Sequence, residues 1–200
     1  MLIIFADTKS QFMIFKRKIY DELLRWKRTD EGRTAVLIQG ARRVGKSTVA
    51  EEFATNEYDT HILVDFAACS SEIRYLFNDV SDLNRIFMRL QLEYGIELRE
   101  RKSVIIFDEV QLVPKARQAI KYLVKDGRYD YIETGSLISI RKNVKDILIP
   151  SEEVKLHMYP MDYEEFKWAL GDTATINLLQ GCFQNRTSLG DATNRKLMRD

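Results

Sequence analysis

Cysteine and histidine are almost missing from this chain, with two of each in 200 residues. Cys69 and Cys182 lie far apart, and His61 and His157 belong to no cluster. So small a supply excludes a disulfide scaffold and leaves a zinc site without ligands, and the cysteines read as reduced thiols. Proline is scarce too, three residues with no two together, so no Pro-rich linker divides the chain. No apolar run approaches the ~20 residues that span a bilayer. The run from Leu2 to Ala6 is too short for a signal segment and follows no basic stretch, so the expected location is the cytoplasm, with no membrane partner. Charge of one sign is lacking as well. Lys and Arg number 31 against 30 Asp and Glu, a net +1, which gives no global argument for nucleic acid or an anionic surface.

What is present is apolar content of 45%, enough for one sizeable core. Helical and strand patterns alternate, which argues for an α/β fold with a mostly parallel sheet covered on both faces. The strand candidates are "TAVLIQG" (34–40), "HILVDF" (61–66), "SVIIFDE" (103–109), "YDYIETGS" (129–136) and "EVKLHMYP" (153–160). Helical spacing runs over 16–28 with Ile19, Leu23 and Trp26 inward, over 46–55, over 81–95, and over 115–127. Ser81 is the expected N-cap of the third of these, with Gly95 as its stop. Asp162 and Glu165 form a capping-box pattern at the start of "DYEEFKWAL". Residues 1–13 read as an extension, with Met13 as a natural beginning. Residues 14–171 read as the main domain, and 172–200 as the start of a truncated helical region.

One stretch departs from the chain's habit of long side chains. "GARRVGKST" joins the first strand to the next helix and fits the pattern G-x-x-x-x-G-K-[ST]. Wrapping a polyphosphate in backbone N–H groups needs glycine where a Cβ would clash or φ must be positive, at Gly40 and Gly45. Arg42, Arg43 and Val44 fill the loop between them. A helix beginning at that point aims its free N–H groups at the phosphates. Lys46 is then placed for the β- and γ-phosphates, Ser47 for Mg²⁺, and Thr48 near the α-phosphate. The alternative is a plain strand–turn–helix joint, which the buried strand before and the amphipathic helix after weigh against.

A second pattern agrees with the first. "VIIFDE" ends an apolar strand with Asp108 and Glu109, where parallel sheets bind ligands. Asp108 is expected to hold the metal's hydration shell and Glu109 to orient and polarise the attacking water. Thr134, with Ser136 second, is the candidate sensor of the terminal phosphate, although hydroxyls that merely hold a turn explain those positions almost as well.

Together "GARRVGKST", "IIFDEVQ", "YIETGSLIS" and "YPMDYEEF" resemble the AAA-type P-loop ATP-binding proteins of bacteria and archaea, over about residues 14–170. The resemblance implies a P-loop NTPase sheet of order 5-1-4-3-2, ATP and Mg²⁺ as ligands, and Walker A, Walker B and sensor roles at Gly45, Lys46, Ser47, Asp108, Glu109 and Thr134. Gln111 matches the family with no assigned role. A Gly-Arg pair usual before the "YP" strand is replaced by "IPSEEVKLHMYP", and most of the family's lid and C-terminal domain is missing. No arginine finger is assigned: Arg141 lies near Ser136 and Arg128 precedes the sensor strand, but a solvated surface charge, the more common case, explains either equally well.

The function expected is an Mg²⁺-dependent ATP hydrolase coupling nucleotide state to an unknown partner or oligomer. The alternative is an interaction module or remnant that binds ATP with little turnover. A DNA-associated role would rest on Lys16, Arg17, Lys18, Arg25, Lys27 and Arg28, which read better as a solvated helix face balanced by Asp21, Glu22, Asp30 and Glu31.

Overall fold

The computed structural model describes residues 15–136 and 150–197. The expected extension and Arg141 lie outside these residues. Five parallel strands form one sheet: β1 (Ala35–Gly40), β2 (Thr60–Asp65), β3 (Ser103–Asp108), β4 (Asp130–Ser136) and β5 (Glu153–Met158). Their order is β2-β3-β4-β1-β5, the order the resemblance implied.

The strands alternate two apolar faces, and each face collects its own helices. Val36, Ile38, Ile106 and Ile132 meet α1 (Lys18–Asp30) and α2 (Lys46–Glu57) through Leu23, Trp26, Val49 and Phe53. Ala35, Leu37, Ile105, Phe107 and Tyr131 meet α3 (Ser71–Leu76), α4 (Leu83–Tyr94) and α5 (Pro114–Asp126) on the other side. Strand β3 is buried at all six positions because helices cover both its faces. Strand β2 has a sequence fit for full burial but lies at the sheet edge, where only Ile62 and Val64 are fully covered.

Beyond the sheet come α6 (Tyr163–Ala169), α7 (Ala174–Asn185) and α8 (Asp191–Leu197). Helix α6 begins with the expected capping box: Asp162 accepts from the Glu165 N–H at 2.9 Å, and Glu165 accepts from the Asp162 N–H at 3.1 Å. The N-cap of α4 is Asp82 rather than Ser81. The Asp82 carboxylate accepts the Arg85 N–H, and the Ser81 hydroxyl is occupied with Asp79. Among the described residues no helix is long and apolar enough to cross a membrane.

A buried polar group sits within the α5 face. Arg117 of α5 forks onto Glu153 of β5 at 3.0 and 2.9 Å, and Glu133 of β4 lies fully buried beside them. One buried guanidinium thus serves two carboxyls, with the Lys155 ammonium 3.7 Å from Glu153 at the margin. Both Glu133 oxygens lack a donor while the pair is ionised. Burial, then the charge of Glu153, pushes the Glu133 carboxyl well above the usual range, and Arg117 opposes only in part.

A carboxyl raised in the folded state stabilises fully below its unfolded pKa, near ~4.3, and loses that contribution as pH rises through the folded value. Glu133→Gln keeps the shape and an N–H donor toward Glu153 but cannot ionise. The variant is expected to melt a few degrees above the parent at about pH 8.5 and to match it at about pH 5. Melting curves across that range check this, and parallel curves for the two proteins would show that Glu133 is not the titrating group.

Candidate active site

The carboxyl ends of β1, β3 and β4 converge, and the two acidic and glycine motifs meet there. Gly40 closes β1, and its glycine is required by the neighbouring strand: a Cβ would stand 2.1 Å from the Met158 carbonyl of β5. That differs from the phosphate-driven reason expected for Gly40, because the crowding comes from the sheet itself. Gly45 does have the expected left-handed backbone, φ +95°, and forms the N-cap of α2. Arg43, at φ +63°, supplies the preceding left-handed turn, a conformation that costs ~1–3 kcal/mol in a residue with a Cβ.

Lys46 opens α2, and only 5% of it is exposed. Its ammonium crosses the loop to the Ala41 carbonyl at 2.7 Å. Burial lowers its pKa from the usual lysine value, while Glu109 and Asp108 act in the opposite direction. Ser47 donates its hydroxyl to Asp108 Oδ1 at 2.6 Å. Thr134 Oγ1 donates to that same oxygen, so Asp108 joins α2, β3 and β4 at one point. Thr134 is therefore placed on the acid, one bond back from any open space, and Ser136 lies buried two residues further along β4.

Glu109 leaves the sheet in a left-handed turn, φ 53°, that ends β3 and starts a 3₁₀ turn over Val110–Leu112. Its N–H reaches Thr134 Oγ1 at 3.3 Å. Its carboxylate accepts from the side-chain amide of Gln111, a buried residue of that turn. Gln111 thereby gains the role the motif alone left open: it orients Glu109. The "DEVQ" spacing alone does not signal this contact, because it depends on the left-handed turn that Glu109 makes before the 3₁₀ turn.

Beside the loop is a cavity of about 210 Å³. Phe15, Val44, Val49 and Met161 form its apolar walls, and Thr48 and Glu52 line it with polar groups. That volume suits part of a small ligand rather than the whole of one. Arg42 and Arg43 are exposed at the rim.

The donor set suits a hard cation. A hydroxyl and a carboxylate oxygen already in contact are what Mg²⁺ takes from a protein when phosphate and water supply the rest. Among the described residues no group of three or more His, Cys, Asp or Glu gathers as a cage. Ser47 and Asp108 fit a shared, phosphate-completed site of that kind.

The structure also places Arg128 and the basic residues around α1. Arg128 stands before β4, at the amino end of the strand and so at the opposite end of the sheet from the loop, where it holds Asp126 and Asn84 and covers the Phe87 ring. It cannot reach the loop from there. The basic cluster around α1 is for the most part the solvated face expected, since Lys16, Lys18, Arg25 and Arg28 are exposed, and Arg17 is the exception. Arg17 is buried, Lys18 pairs with Asp162 and Glu164, Lys16 lies over Trp168, and Lys27 lies over Tyr58. Lys18 is held up at about 12 by the Asp162 and Glu164 carboxylates.

Comparison with known proteins agrees with this geometry. A family model described as an AAA domain matches residues 32–167. No curated protein matches the sequence. Among solved structures, PCH-2 of C. elegans is similar at 10% identity and TM-score 0.41, over 81% of this chain and 46% of that one. The Thermotoga maritima RuvB Holliday junction branch migration motor is similar at 13% identity and TM-score 0.44, over 81% and 51%. Drosophila ORC bound to DNA is similar at 15% identity and TM-score 0.50, over 82% and 49%. The chain thus spans about half the length of these structures, and at 15% identity the likeness to Drosophila ORC is one of fold.

Proposed function

The chain belongs to the AAA domain family, and from that premise we propose that it binds ATP with Mg²⁺ and hydrolyses it, passing its nucleotide state to a protein partner. The observation that carries this reading is the contact between the helix that opens at the glycine loop and the acid-ended strand, Ser47 to Asp108 at 2.6 Å, with Asp108 and Glu109 both near enough to act on the Lys46 ammonium. In this reading the backbone N–H groups of residues 41–48 wrap the phosphates at the positive end of α2. The Lys46 ammonium exchanges its bond to Ala41 for phosphate oxygens. Thr48 stands near the α-phosphate, Arg42 and Arg43 add positive charge at the rim, and the cavity walled by Phe15, Val49 and Met161 takes the base.

Mg²⁺ would supply positive charge to offset that of the phosphates. Ser47 and Asp108 would hold it. Glu109 takes the proton of the attacking water and Gln111 keeps that carboxylate aimed. Thr134 fixes Asp108 and the Glu109 peptide, so it acts as a positioning residue before any contact with phosphate. The hydrolytic unit runs to Gly171, with α7 and α8 as the start of a further region. The cytoplasm suits both the ligand and the two free thiols.

One observation favours a second reading, that of an ATP-binding interaction module with little turnover. Glu109 is already engaged by Gln111, and Arg128, before β4, is held by Asp126 and Asn84 away from the loop. A DNA partner is the less favoured reading, because Arg17 is buried and Lys18 pairs with Asp162 and Glu164.

Calorimetric titration of ATP with Mg²⁺ and with chelator, run beside a turnover assay, tests the proposal. ATP is expected to bind at least about tenfold more tightly with Mg²⁺, a difference of about 1.4 kcal/mol. Equal affinity in both would remove Ser47 and Asp108 from the ligand set, and absence of binding would end the proposal. Binding without turnover would favour the second reading.

A further inference from the structure

Arg17 is a buried cation that the chemistry above leaves without a task. It precedes α1, its side chain is 8% exposed, and its three nitrogens reach three separate segments. One terminal nitrogen donates to the Val44 carbonyl in the glycine loop at 2.7 Å. The other donates to the Tyr159 carbonyl just past β5, also at 2.7 Å. Nε lies 3.2 Å from Glu165 Oε1 in α6, an ion pair without hydrogen-bond geometry. Glu165, 7% exposed, also accepts the N–H groups of Lys18 and Asp162.

Taking such a pair out of water is costly, and apolar side chains would join these segments without that penalty. What the ion pair adds is orientation. No described peptide bond is cis, so the N–H of Gly45 points opposite to the carbonyl of Val44 in the same plane. With the carbonyl turned toward Arg17, the Gly45 N–H is turned away from it as a free donor of the loop. A planar guanidinium can hold two carbonyls and a carboxylate at once, and an ammonium on a flexible stem cannot fix that geometry.

We propose that Arg17 is a positioning residue for phosphate binding: it sets the Val44–Gly45 peptide and ties it to Glu165, so that α6 responds when phosphate fills the loop. This rests on the nucleotide reading above. Trp168 supplies the reporter, since it lies in α6 with the Lys16 ammonium 4.6 Å from its ring centre.

The test is a Mg·ATP titration of the full chain followed by tryptophan fluorescence, in the parent and in Trp168→Phe, Arg17→Lys and Glu165→Gln. The parent is expected to show a saturable change that Trp168→Phe lacks. Arg17→Lys and Glu165→Gln are expected to bind ATP about tenfold more weakly and to lose most of the Trp168 change, with far-ultraviolet dichroism like the parent's. A parent that binds ATP with a silent Trp168 overturns this proposal alone, whether or not the variants fold. Variants that match the parent in both affinity and signal overturn it too. A parent that binds no ATP overturns the nucleotide reading first, and this proposal with it.

Discussion

Glu109→Gln is expected to slow single-turnover hydrolysis of ATP by about a hundred- to ten-thousandfold, while ATP affinity stays within about threefold of the parent. The amide matches the carboxylate in size, and its oxygen can still accept from Gln111. The bond from the Glu109 N–H to Thr134 is a backbone bond and survives the change. What is lost is a group able to take a proton from water, and general-base assistance accounts for a barrier change of about 3–5 kcal/mol. Rapid-quench measurement with enzyme in excess separates this chemistry from product release. Equal, slow rates in parent and variant, with both binding ATP, would remove the hydrolytic part of the proposal and leave the interaction module.

Much of this site is readable in the sequence because it is local. The strand, the glycine turn and the start of α2 lie within "LIQGARRVGKST", and each residue's task there follows from its neighbours. Strand β3 announces itself by six positions buried on both faces. The Asp162–Glu165 capping box is likewise complete within four residues. Helix α3 is missed for the opposite reason: it is six residues long, and Ile73 is its one buried side chain, too little for a periodic pattern.

Charges that the fold buries stay hidden from a local reading. Arg17, Arg117, Glu133, Glu153 and Glu165 each look like surface residues. Their burial comes from partners brought together by the sheet order, with Arg17 and Glu165 arriving from opposite ends of the domain. The glycine at Gly40 is misread for the same reason, since the atom that forbids a Cβ belongs to β5. Patterns within a segment reveal elements and motifs; contacts across the sheet reveal which charges are structural.

The central claim is that the loop and its lysine form a seat for polyphosphate, and Lys46→Ala addresses it. Lys46 is 5% exposed and its pKa is already lowered by burial, so phosphate would relieve a cation that the protein solvates poorly. Charge-assisted bonds to phosphate contribute about 1.5–3 kcal/mol each, so removal of two such bonds corresponds to at least about a hundredfold loss of affinity. The fold gives up little. One bond to the Ala41 carbonyl is lost, about 1 kcal/mol, and a buried charge disappears with it. Alanine is also a good residue for the first turn of α2. The measurement is an ATP titration of Lys46→Ala beside its thermal melt. ATP binding weakened at least about a hundredfold, with a melt within a few degrees of the parent, is the predicted result; an unchanged affinity, or a chain that no longer folds, would contradict it.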